Sequence, residues 1–120
     1  MEKISLNEKF ALIHEHWRPK IAAQANGQEL KLVKFLGVFP WHAHQNADEL
    51  FIVWRGEIIV ELPDQSIALR AGDVCVVPKG VQHRTSAALE AEVLVFEPAH
   101  TRNTGNIADA NFTAPNGVWV

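Results

Sequence analysis

A chain of 120 residues is a common size for one domain, and a composition 48% apolar and 21% charged excludes extended disorder. Eleven Lys and Arg against fourteen Asp and Glu, with no basic cluster, argue against nucleic acid as a partner. The start has no apolar signal region and no run approaches a membrane span, so the expectation is a cytoplasmic protein with no membrane partner.

Ser5-Leu-Asn-Glu8 has the form of a capping box, with Ser5 as N-cap and Glu8 reaching back. Leu6, Phe10 and Ile13 follow at helical spacing. They predict a helix of about three turns within residues 1–16, ending before Pro19. His14 and His16 diverge on such a helix and are read as surface or helix-end residues.

From about residue 17 to 98 the pattern is that of strands and turns. Ile21–Ala25 and Gln28–Leu36 are joined by Asn26-Gly27, the dipeptide that best tolerates the two positive φ angles of a type I′ turn. Glu29-Leu-Lys-Leu32 would also suit a helix, but the flanking turn decides for strand. Glu49–Trp54 opens an apolar, β-branched and aromatic run. Strands are then expected over 57–62, 66–69, 74–77, 83–85 and 92–96, separated by turns at Pro63-Asp64, Ala71-Gly-Asp73 and Pro78-Lys-Gly80. Short strands at this spacing argue for a β-sandwich or barrel. Cys75 lies in a Val-Cys-Val-Val run and reads as a buried small hydrophobe. The remainder, 99–120, has little periodicity and reads as a surface-wrapping or flexible tail. Val118 and Trp119 could dock on the barrel or on a second subunit.

Chemistry concentrates in two stretches. On an extended segment His42 and His44 point the same way, and Glu49 returns after a short polar turn. Two imidazoles and a carboxylate brought together in this way suit a divalent metal. His83 is the candidate fourth ligand, placed by a frame of Gly72, Pro78 and Gly80 that restricts the backbone around it. Alternation puts Glu49, Phe51 and Val53 on one strand face and His83 and Thr85 on another. Phe39, Trp41, Phe51, Val53 and Thr85 are the expected pocket lining, with core packing an equal reading for Phe51. Arg55, Lys79 and Arg84 are expected to face outward, and His100 is read as structural or surface.

These two stretches resemble the paired motifs of the cupin superfamily, G-x5-H-x-H-x3,4-E-x6-G and G-x5-P-x-G-x2-H-x3-N. His42, His44, Glu49 and Gly56 match the first; Gly72, Pro78, Gly80 and His83 match the second. Two departures are a four-residue gap between Gly37 and His42, and Ala87 in place of the terminal Asn. The resemblance implies an all-β, single-domain jelly-roll barrel with a short N-terminal helix, and a metal held by His42, His44, Glu49 and His83. Three imidazoles and one acid suit Mn, Fe, Co, Ni, Cu or Zn without ranking them. It also implies a small-molecule ligand or substrate and a homodimer. Oxygenase or isomerase chemistry and non-catalytic sensing are both compatible with that fold.

Overall fold

In the computed structural model, which describes residues 1–120, one short helix precedes seven antiparallel strands. They are α1 (Leu6–Ala11), β1 (Lys20–Ala25), β2 (Gln28–Val38), β3 (Glu49–Arg55), β4 (Glu57–Leu62), β5 (Gln65–Arg70), β6 (Val74–Val77) and β7 (Arg84–Pro98). The strands form the jelly-roll β fold. One path runs β1-β2-β7-β3-β6, while β4 pairs with β5 on one side and β7 on the other. The β1–β2 hairpin turns through Asn26 and Gly27 at φ 53° and 75°, both positive as the dipeptide predicts.

The expected pieces 83–85 and 92–96 are parts of one strand of 15 residues. Its first residues, Arg84–Ser86, pair with β4, and Glu92–Phe96 pair with β3, while β2 accompanies both halves. Opposite a register shift at Phe35/Gly37, β7 carries extra residues between Ala87 and Ala91. An insertion of this kind bends a strand without ending it, so β7 passes from one side of the barrel to the other. Gly56 sits against the bend, where an added Cβ would stand 3.1 Å from Ala91 Cα.

Alternation sets the interior. Glu49, Phe51 and Val53 of β3 are buried, as are Val33 and Phe35 of β2 and Val93 and Val95 of β7. The opposite face of β2 and β7 buries Leu32 and Leu94 under Phe10 and Ile13. These two side chains hold α1 on the barrel, and each removes roughly 1.5–3 kcal/mol of unfavourable apolar exposure. The helix is six residues long, shorter than the predicted three turns. Ser5 does cap it, its hydroxyl accepting from Glu8 N–H at 3.3 Å. It ends at Ala11, Leu12 N–H bonding back to Lys9 O, and Trp17, at φ 63°, then turns the chain inward and donates its N–H to Lys34 O.

The tail wraps the barrel. Ile21 N–H donates to Val118 O at 2.7 Å and Val120 N–H returns to Ile21 O, so the chain end joins β1 as a parallel bridge. Cys75 is half-buried, not buried, because β6 is an edge strand with Val74 and Val76 facing out. No helix is long and apolar enough to cross a membrane.

Candidate metal centre

The two sequence stretches meet through their main chains. His42 N–H donates to His83 O and His83 N–H to His42 O, both at 2.9 Å, forming an isolated antiparallel bridge. Gly80 N–H donates to His44 O at 2.8 Å, and Lys79 N–H to Asp48 Oδ1 at 2.9 Å. The Pro78-Lys-Gly80 turn is thereby locked to the loop between His44 and Glu49.

Four side chains converge as a result. His42, His44, Glu49 and His83 are all buried and offer ligand atoms within 4.8 Å of one another. His44 Nε2 lies 3.2 Å from Glu49 Oε2, and His83 Nε2 lies 3.2 Å from Glu49 Oε1. The first contact is off the direction of a hydrogen bond, which leaves His44 Nε2 a buried polar atom without a partner.

The outer ring nitrogens decide what the inner ones can do. His42 Nδ1 lies 2.9 Å from Pro40 O and His83 Nδ1 2.9 Å from Val81 O. A carbonyl oxygen only accepts, so both Nδ1 atoms carry protons. In a neutral ring Nε2 is then a lone pair, and in His83 it faces a carboxylate. That tautomer leaves the inner nitrogen of His83, 3.2 Å from Glu49 Oε1, as the ring atom that would ligate a cation placed between them. The donor set therefore fits one divalent ion.

Burial, followed by the neighbouring His83, pushes His42 down from 6.5 to about 4. Burial pushes the Glu49 carboxyl up, but the His44 and His83 imidazoles outweigh it and hold it below the usual carboxylate range. Glu97 was not foreseen as a site residue. It is 2% exposed and receives Lys31 Nζ on Oε1 at 2.9 Å, while its Oε2 is buried without a hydrogen-bond partner. Burial, then the charge of Glu49, raises it well above an ordinary carboxyl. Its signal was alternation from Val93 and Val95, masked by the adjoining Pro98.

These two shifts oppose each other in the metal-free protein. Below 6.5 the unfolded chain binds a proton at His42 that the folded one refuses, which lowers stability as pH falls. Above 4.5 the folded protein keeps a proton on Glu97 that the unfolded chain has lost, which lowers stability as pH rises. Between these values the effects offset. The Glu97 contribution is lost from 4.5 upward, by up to about 1.4 kcal/mol per pH unit, until its raised pKa is passed. Urea unfolding of chelator-treated protein from about pH 5 to 8 reads this. A decline that persists in Glu97→Gln would contradict the assignment.

A cavity of about 40 Å³ adjoins the ligands, walled by Trp17, Val33, Phe35, Phe39, Phe51 and Val95. His42, Glu49, Thr85, Glu97 and Asn103 supply its polar atoms. Of the expected lining, Phe39, Phe51 and Thr85 are present. Trp41 faces away, its ring 5.0 Å from the Arg84 guanidinium, because alternation puts it opposite His42. Val53 lies deeper, in the apolar core. Trp17 is an unforeseen wall. Arg55 and Lys79 face outward as expected, whereas Arg84 is half-buried against Glu61 at 2.9 Å. Behind His44 a wider polar groove of about 430 Å³ runs between residues 45–47 and the start of the tail, with His100 and Arg102 on its rim. His14 is exposed, and His16 pairs with Glu90 at 2.7 Å, far from the centre.

Residues 33–98 match the Cupin domain family, Cupin_2. The uncharacterized protein YdbB of Bacillus subtilis (strain 168) is 37% identical over 76 residues, 62% of this chain and 67% of that one. A crystal structure of a cupin-2 domain protein from Shewanella frigidimarina is 43% identical with TM-score 0.78, over 79% of this chain and 93% of that one. A Neisseria meningitidis protein is 33% identical with TM-score 0.75, over 82% and 100%. At the level of fold alone, hydroquinone 1,2-dioxygenase PnpCD, solved in complex with Fe3+, has TM-score 0.72 at 23% identity, over 82% of this chain and 33% of that one.

Proposed function

Because the chain belongs to the cupin family, and because its motif side chains meet at one buried point, we propose that it holds a single divalent transition metal through His42, His44, Glu49 and His83. There it binds a compact, oxygen-bearing small molecule and acts on it. The observation that carries this reading is the convergence of these four buried side chains, their ligand atoms within 4.8 Å of one another, with His44 Nε2 left without a hydrogen-bond partner among them.

Such an ion supplies Lewis acidity, or a site for O₂, to an oxygen donor in the cavity. The chain's own contributions are distinct. Trp17, Phe39 and Phe51 exclude bulk water, and Thr85, Asn103 and Glu97 offer hydrogen-bonding groups that orient a ligand. Glu97 also provides a carboxyl outside the ligand set, which favours oxygenase or isomerase chemistry over passive binding. The second reading, a non-catalytic sensor, draws on the hold of Lys31 Nζ on Glu97 Oε1 at 2.9 Å, which ties up the carboxyl outside the ligand set.

Protein purified without a histidine tag and handled anaerobically should carry about one equivalent of a first-row metal. Turnover of catechols, thiols, diketones or sugar phosphates by the Fe, Mn or Ni form separates the readings. Affinity without turnover supports the sensor, and absence of any stoichiometric metal removes both.

We further propose that residues 1–120 act as one domain in the cytoplasm, the thiol of Cys75 suiting a reducing compartment. A homodimer is proposed through β6, an edge strand whose Val74 and Val76 are 55% and 50% exposed beside exposed Trp54 and Phe96. Light scattering at micromolar concentration should give twice the chain mass, and Val76→Glu should halve it.

A further inference from the structure

The tail carries a second connection to the centre. Main-chain groups of an extended segment point alternately to its two sides. In His42-Ala43-His44 the two groups of His42 are taken by His83, and His44 O by Gly80. The two groups of Ala43 face the other way, and there the tail receives them. Ala43 N–H donates to Asn106 Oδ1 at 2.9 Å, and Ala43 O accepts from Asn106 N–H at 2.9 Å. Asn106 thus acts as a one-residue edge strand for the segment that bears both histidines.

The approach is close by construction. Gly105 has φ +56°, and a Cβ there would lie 2.3 Å from Ala43 O and 3.1 Å from His42 Cδ2. Only glycine lets the tail backbone come this near. Thr104 is fully buried and anchors the approach, its hydroxyl bonded to Ile107 O at 2.8 Å and Thr113 Oγ1 at 2.7 Å. Asn103, next in line, receives Ala114 N–H on Oδ1 and donates to Phe112 O. The tail is braced before it touches Ala43.

We propose that Thr104-Gly105-Asn106 belongs to the framework of the metal centre, with Asn106 as a positioning residue that fixes the peptide planes on either side of Ala43. The inference rests on the metal reading above. The directions of both imidazoles follow from those two planes, so loosening them disperses the donors without removing any of them.

Asn106→Ala removes the acceptor for Ala43 N–H, whereas Asn106→Asp keeps it. Asn116→Ala removes a tail hydrogen bond, to His100 O, that involves neither Ala43 nor a ligand residue. With Co²⁺ as probe and a competing chelator, Asn106→Ala is expected to bind about 10–100-fold more weakly, with an altered ligand-field spectrum. Asn106→Asp and Asn116→Ala should stay close to the parent in both. Equal affinity and spectrum in Asn106→Ala, or an equal loss in Asn116→Ala, would overturn the proposal. If the parent takes up no Co²⁺, the metal reading fails by itself, and hydrogen exchange at the Ala43 amide of metal-free protein decides the clasp. Protection lost in Asn106→Ala supports it, and unchanged protection refutes it.

Discussion

Replacing Glu49 by glutamine is expected to weaken divalent-metal binding at least about a hundredfold, roughly 2.7 kcal/mol, while the barrel stays folded. Glu49 is the only acid in the ligand set, and its oxygens lie 3.2 Å from the inner nitrogens of both His44 and His83. Glutamine preserves volume and one oxygen but removes the charge. At an effective dielectric near 20, a unit charge pair at about 4 Å is worth on the order of 4 kcal/mol, so a hundredfold loss is a lower bound for a doubly charged ion. Calorimetric titration with Mn²⁺ or Co²⁺ measures the affinity, and thermal melting of the metal-free protein checks the fold. Retained affinity in a folded Glu49→Gln protein would remove Glu49 from the ligand set.

The second large effect is expected at Trp17, and it should fall on stability. Its ring stacks on Phe35 at 4.4 Å and leans on Phe39 at 5.1 Å, while its indole N–H donates to Leu36 O at 2.7 Å. Trp17→Ala leaves a void among these rings and an unpaired carbonyl, for a cost of about 3–5 kcal/mol. For a chain of this length that lowers the melting temperature by about 10–20 °C. Trp17 makes no hydrogen bond to a ligand residue, so metal affinity measured below the transition should change little. The pair of variants therefore separates the centre from the scaffold. Parallel losses of stability and affinity in Trp17→Ala would mean that the aromatic wall also positions the ligands.

The parts of this protein legible in its sequence are those governed by local rules. Alternation placed Glu49, Phe51 and Val53 inside, and Asn26-Gly27 announced a hairpin whose φ angles are both positive. The histidine spacing and the glycine-proline frame named four side chains that do converge. What stayed hidden depends on partners distant in the chain. Glu29, Lys31 and Glu97 belong to no motif in the sequence, yet all three are buried together, Lys31 Nζ lying 3.7 Å from Glu29 and 2.9 Å from Glu97. Trp17 follows polar residues and turns inward only through a positive φ. Asn106 looks like one more polar residue of a loose tail, because Ala43 lies 63 positions away. Trp41 was misplaced by adjacency to His42, although the same alternation that orients the histidines sends its ring outward.

The bent strand β7 has a bearing on how the chain is made. It is the neighbour that β2, β3 and β4 have in common, and it comes after all of them. A nascent chain leaving the ribosome through residue 83 already carries every proposed metal-binding side chain, but lacks the element that joins their strands. Long-range pairing of this kind delays folding until the late segment is available. A chain interrupted before β7 would therefore leave β2, β3 and β4 without their shared neighbour, and their sticky edges to chaperones, before the proposed centre could assemble.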